Sequence, residues 1–134
     1  MHDRYVLDAG VIAFYCAGDP GVKPYFDRIL EARAFGYICE VNVAEFVYNF
    51  ARKFGWDAAA TKARLVREEP FIVEGIDEEL TYTAAQIKTE NSKYSLANCY
   101  LLALALRHSA TVLTTDGPLS RNPQVTAILI PIPK

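Results

Sequence analysis

Short apolar runs alternate along the chain with stretches in which apolar residues recur every three or four positions. "RYVLD" (4–8), "FGYIC" (35–39), "PFIV" (70–73), "ATVLTT" (110–115) and "VTAILI" (125–130) are rich in β-branched and aromatic residues and predict five strands. Between them the spacing is helical. A helix is expected to begin near Ala9, and Pro20 and Pro24 suit the turn into another over 24–34, with Phe26, Ile29, Leu30 and Arg33 at helical intervals. Val43, Phe46, Val47, Phe50, Ala51 and Phe54 mark a stripe that Gly55 ends. Asp57 is placed to cap "AAATKARLVREE" (58–69), which Pro70 closes, and Leu80, Ala84 and Ile87 are the inward side of a helix over 77–90. "YSLANCYLLALALRH" (94–108) is apolar on nearly every face and predicts a buried helix. Alternation of strand and helix favours a parallel sheet covered on both faces. Pro131 and Pro133 break the last strand, which also blunts a sheet edge.

Composition sharpens this picture. With 134 residues, 51% of them hydrophobic, the chain fits one globular domain over 1–134 with a sizeable core and little room for a second. A formal charge of −2 provides no basic field, which argues against tight electrostatic binding of nucleic acid and leaves transient engagement open. Cys16, Cys39 and Cys99 are odd in number and far apart in apolar runs, so neither a disulfide framework nor a cysteine-rich zinc site is expected. The N-terminal run "YVLDAGVIAFYCAG" is interrupted by Asp8 and lacks the features of a signal peptide. The apolar stretch 96–106 falls well short of the roughly 20 residues that cross a bilayer. The expectation is a soluble, cytoplasmic protein with no membrane partner.

A few polar residues do not fit the apolar pattern. Asn98 lies in the first turn of the buried helix, three residues after the natural N-cap Ser95; its amide either bonds the Ser95 backbone or a neighbouring loop, or faces something polar. Asp8 follows the first strand and Asp116 follows "TVLTT", so both sit at carboxyl ends of strands, where open parallel sheets place their ligand crevice. Each also has a local explanation: Asp8 as a helix cap, Asp116 with Gly117 and Pro118 as a turn. Asn42 and Glu45 fit a capping box, which would hold a carboxylate at the positive end of a helix dipole. If the sheet is parallel, Asp8, Glu45, Asn98 and Asp116 can converge from two strand ends and two helix starts. Like charges so gathered call for a cation, and hard oxygen ligands suit Mg²⁺ or Mn²⁺. Carboxylates with such a metal are equipment for phosphodiester hydrolysis.

At these residues the chain resembles the PIN-domain ribonucleases, in particular the small VapC-type toxins of toxin–antitoxin pairs. "YVLDAGVI" is similar to the opening strand and first acid, "VNVAEF" to the glutamate helix, "SLANCYLLALAL" to the helix of the third acid, and "TVLTTDGPL" to the last acid. The resemblance implies an α/β fold: a three-layer α/β/α sandwich around a mainly parallel five-stranded sheet. It further implies metal-dependent endonucleolytic cleavage of RNA, a homodimer, and a cognate antitoxin that occupies the active-site groove. Asp8, Glu45 and Asp116 match acidic positions, and Thr114 matches a hydroxyl two residues before the last acid. Two positions depart from the family pattern. The third acid is Asn98, and the residue two after the first acid, often serine or threonine, is Gly10. An amide oxygen still ligates or orients water but brings no charge, so weaker metal binding is expected.

On the substrate side, Arg52, Lys53, Lys62, Arg64 and Arg67 make one segment locally basic, either to hold RNA phosphates or as a solvated face beside Glu68 and Glu69. Tyr48, Trp56 and Tyr94 are available to stack bases or to fill core and interface. His2 and His108 have no motif beside them; His108 is expected near a helix C-terminus. The rival to a nuclease is a metal-impaired scaffold that binds RNA or an antitoxin without cleaving. A phosphatase or receiver domain is disfavoured, because the former wants a second Asp where Gly10 stands and the latter wants paired acids near the first strand.

Overall fold

The computed structural model describes residues 3–68 and 70–132; His2, Glu69 and Pro133 lie outside the described residues. The alternation seen in the sequence becomes five strands, β1 (Asp3–Leu7), β2 (Ala34–Cys39), β3 (Phe71–Glu74), β4 (Thr111–Thr114) and β5 (Ala127–Leu129). The helices are α1 (Ala9–Cys16), α2 (Lys23–Leu30), α3 (Glu40–Phe54), α4 (Trp56–Arg67), α5 (Glu78–Glu90), α6 (Leu96–His108) and the short α7 (Gly117–Ser120). All strand pairs are parallel, in the order β3-β2-β1-β4-β5. The first strand is therefore central, as the buried run Tyr5, Val6 and Leu7 requires.

Because successive strand residues point to opposite faces, each strand feeds two cores. Leu7, Ile38 and Leu113 pack with Val11, Phe26, Ile29, Val43, Phe46 and Val66 from α1 to α4. Val6, Tyr37, Cys39 and Val112 pack on the other face with Leu80, Ala84 and Ile87 of α5 and with Leu101 to Ala105 of α6. The result is the three-layer α/β/α sandwich. Five consecutive buried residues explain why α6 shows no polar face: it lies beneath α5 and against the sheet. All three cysteines are free thiols, as expected.

Three sequence expectations change at element ends. The helix expected over 24–34 stops at Leu30, because Ala34 already pairs with Asp3 in the sheet and the chain turns through Ala32 at φ 60°. Leu30 is accordingly exposed. Asp57 does not cap α4: Gly55 does, and its φ of 92° lets α3 end and α4 begin without a longer loop. Asp57 instead adds a carboxylate to the first turn of α4, where the dipole favours it. Nor is Asn42 a cap, because β2 runs straight into α3 and Cys39 takes the cap position. Asn42 lies inside the helix, fully buried, and neither its amide oxygen nor its nitrogen has a hydrogen-bond partner among the described residues.

Candidate active site

The register of β1 and β4 pairs Leu7 with Leu113, so the residues that follow both strands emerge side by side. The Asp8 N–H donates to the Leu113 carbonyl at 3.2 Å, which carries the pairing one step beyond β1. The Asp8 side chain is 5% exposed and fully engaged. One oxygen caps α1 by accepting from the Val11 N–H at 2.7 Å; the other accepts from the Thr114 hydroxyl at 2.6 Å and the Thr115 N–H at 3.0 Å. Thr114 Oγ1 in turn accepts from the Asp116 N–H at 3.0 Å, so one buried hydroxyl links the two acids.

Asp116 caps α7 through a bond from the Leu119 N–H at 3.0 Å, and its second oxygen accepts from Asn98 Nδ2 at 3.2 Å. Asn98 is held in place by the cap of its own helix, where its N–H donates to Ser95 Oγ at 3.1 Å. Capping and convergence thus coexist, as two oxygens per carboxylate permit. The amide nitrogen faces the acid and the amide oxygen remains for the cleft. Glu45, on the second turn of α3, is half-buried and has no hydrogen-bond partner among the described residues.

Asp8, Glu45, Asn98 and Asp116 line one cleft of about 730 Å³, together with Gly10, Asn49, Lys93, Tyr94, Thr115 and Arg121 among others. Burial pushes the Asp8 carboxyl above its ordinary value, against the opposing hydrogen bonds from Thr114, Val11 and Thr115 and with help from the Asp116 charge. Burial, and then the charge of Asp8, push Glu45 up as well. Burial thus disfavours the charged form of both carboxyls, and like charges in the cleft add to it. The donor set is therefore chemically suited to a hard divalent cation. As the side chains stand, no group of three or more His, Cys, Asp or Glu among the described residues is gathered closely enough to hold a metal. Asp8 spends its oxygens on the α1 cap, Thr114 and the Thr115 N–H, Asp116 spends its own on the α7 cap and Asn98, and the fourth cleft position is an amide.

Gly10 has a steric reason. A Cβ there would lie 2.4 Å from Thr115 Oγ1, so the Thr115 hydroxyl occupies the space a side chain at position 10 would fill. None of Arg52, Lys53, Lys62, Arg64 and Arg67 lines the cleft. Arg67 pairs with Glu40, and Arg52 lies over the Tyr48 ring at 5.7 Å. His108 is also remote: at the C-terminal end of α6 its ring stacks on Tyr37 and its Nε2 meets Glu74 at 2.5 Å. Lys93, Thr115 and Arg121 are cleft residues that sequence reasoning passed over. Their signal was adjacency, since Lys93 sits two before the Ser95 cap and Arg121 five after Asp116.

A profile of the PIN domain matches residues 5–124. Among solved structures, VapBC2 from Rickettsia felis, bound to a promoter DNA fragment, superposes with a TM-score of 0.75 at 14% identity, covering 94% of this chain and 98% of that one. VapC20 of Mycobacterium tuberculosis, a sarcin–ricin loop cleaving toxin, gives 0.69 at 18% identity over 88% and 93%. FitAcB from Neisseria gonorrhoeae gives 0.68 at 25% identity over 92% and 96%. Comparison with curated protein sequences gives no match. The chain belongs to the PIN-domain family, with the fold of the VapC-type toxins.

Proposed function

We propose that residues 1–134 form a single PIN-like domain acting as a divalent-metal-dependent endoribonuclease, the toxin of a VapBC-type pair. The observation that carries this reading is the convergence of Asp8, Glu45, Asn98 and Asp116 on one cleft at the carboxyl ends of β1 and β4. Asp8 and Asp116 are the metal ligands, Glu45 binds metal or positions the attacking water, and Asn98 completes the site through its amide oxygen. Bound Mg²⁺ or Mn²⁺ supplies charge neutralisation at the scissile phosphate and water activation. The chain's own contribution is placement. Thr114 fixes Asp8 relative to Asp116, and the α1 and α7 caps keep both carboxylates from rotating away. Glu45 has no competing partner, and its raised proton affinity suits it to take a proton from water.

RNA is the substrate and a cognate antitoxin the protein partner, the latter supported by toxin–antitoxin complexes such as that from Klebsiella pneumoniae (TM-score 0.67) among the similar structures. A homodimer and a cytoplasmic location complete the proposal; no helix of the described residues is long and apolar enough to cross a membrane. The test is cleavage of single-stranded and structured RNA by purified protein with Mg²⁺ or Mn²⁺. Asp8→Ala is expected to lose at least about 100-fold in rate, since it removes a metal ligand whose loss weakens transition-state charge stabilisation. Cleavage that survives this substitution, or excess chelator, overturns the mechanism.

The Asn98–Asp116 bond favours one second reading, a metal-impaired scaffold that binds RNA or antitoxin without cutting. Asn98→Asp separates the two. A decayed site gains Mn²⁺ affinity and cleavage by tenfold or more, whereas a working variant site changes by only a few-fold.

A further inference from the structure

The cleft has an acidic floor and one basic wall. Lys93, exposed in the α5–α6 connection, and Arg121, exposed just after α7, line it beside Tyr94, and neither pairs with a carboxylate among the described residues. A Cβ at Gly117 would lie 3.6 Å from an Arg121 guanidinium nitrogen, which places that cation along α7 next to Asp116. The wall is built rather than incidental. Asn122, 6% exposed, donates from Nδ2 to the Tyr94 hydroxyl at 3.2 Å and accepts from the Gln124 N–H at 2.8 Å, tying the segment of Arg121 to that of Lys93. Lys88 Nζ donates to the Ser92 and Tyr94 carbonyls at 2.8 and 2.5 Å, pinning the turn from behind. Tyr94 packs against the α5–α6 core and also lines the cleft.

Two unpaired cations beside carboxylates, with a fixed aromatic ring lining the same cleft, match a backbone that alternates phosphates with flat bases. On the reading of the cleft as a nuclease site, we infer that the wall formed by Lys93, Tyr94 and Arg121 binds the RNA strand next to the scissile bond, the cations holding flanking phosphates and Tyr94 stacking one unpaired base. A stacked ring needs a base free of its helix, so the wall selects single-stranded or looped RNA over duplex.

The test is fluorescence anisotropy with a labelled single-stranded RNA of mixed sequence in EDTA, which reads binding without cleavage. Lys93→Ala and Arg121→Ala are each expected to weaken binding several-fold and to reduce the slope of log affinity against log salt by about 0.7. Tyr94→Leu, which keeps the packing and removes the π face, is expected to cost about tenfold. Tyr94→Phe separates stacking from the Asn122 bond and retains most of the affinity. Thermal melts confirm that each variant is folded. Unchanged affinity and salt slope in the two cation variants, duplex binding as tight as single-strand binding, or no measurable binding by the unsubstituted protein each overturns the wall. Failure of the nuclease reading looks different: RNA bound in EDTA with the dependence above, and no cleavage on adding Mg²⁺ or Mn²⁺.

Discussion

Gly10 and Thr115 form a pair that neither residue explains alone. With Thr115 Oγ1 at 2.4 Å from the site of a Cβ on residue 10, Gly10→Ser forces the side chain of Thr115, the residue whose N–H donates to Asp8, to move. A loss of about 1–3 kcal/mol is expected from overpacking, read as a shift in denaturant midpoint. Adding Thr115→Ala should recover most of it; an additive double variant would show that the two side chains do not compete. The expected hydroxyl near the first acid is thus supplied here from the end of β4. Asn98 likewise answers its sequence puzzle: its partner is Asp116, eighteen residues on, although the residue taken alone favours a bond to the Ser95 backbone or a neighbouring loop.

At the scale of elements, local chemistry was largely legible. Ser95 caps α6 as its sequence position implies, the helix expected over 77–90 forms with Asp77 as its cap, and Leu80, Ala84 and Ile87 face inward. Two of the three misjudged ends share a cause. Around residues 30–34 and 39–42 the sheet register decides where helix gives way to strand, and periodicity carries no information on register. Asn42 shows the consequence, a polar side chain carried into the interior because α3 starts earlier than its capping pattern implied. Leaving its amide unpartnered costs about 1–3 kcal/mol, so Asn42→Leu is expected to raise unfolding free energy by that order in chemical denaturation. A decrease instead would mean that the amide is satisfied in solution.

For the molecule as a whole, the acidic cleft couples stability to protons and cations. Asp8 and Glu45 bind their protons more tightly in the folded chain than in the unfolded one. Their contribution is therefore fully present below the ordinary carboxylate range and is lost as pH rises through the raised values. Thermal melts in EDTA should show this fall between acidic and neutral pH, and Asp8→Asn should flatten it. At neutral pH millimolar Mg²⁺ or Mn²⁺ should restore stability through binding to the folded state alone. A melting temperature indifferent to both pH and metal would remove the electrostatic account of the cleft.

What the order of residues settled unaided was local: five strands, the longer helices between them, the caps at Asp8 and Ser95, and carboxylates at the ends of two strands. These follow from interactions within a turn or two of chain. Which carboxylates share a cleft was decided in three dimensions, because Thr114 and Asp8 meet across 106 positions and only the β1–β4 register brings them together. The basic wall depended on folding in the same way. Lys93 and Arg121 are ordinary surface cations along the chain, and the bond between Tyr94 and Asn122, 28 positions apart, makes them one surface.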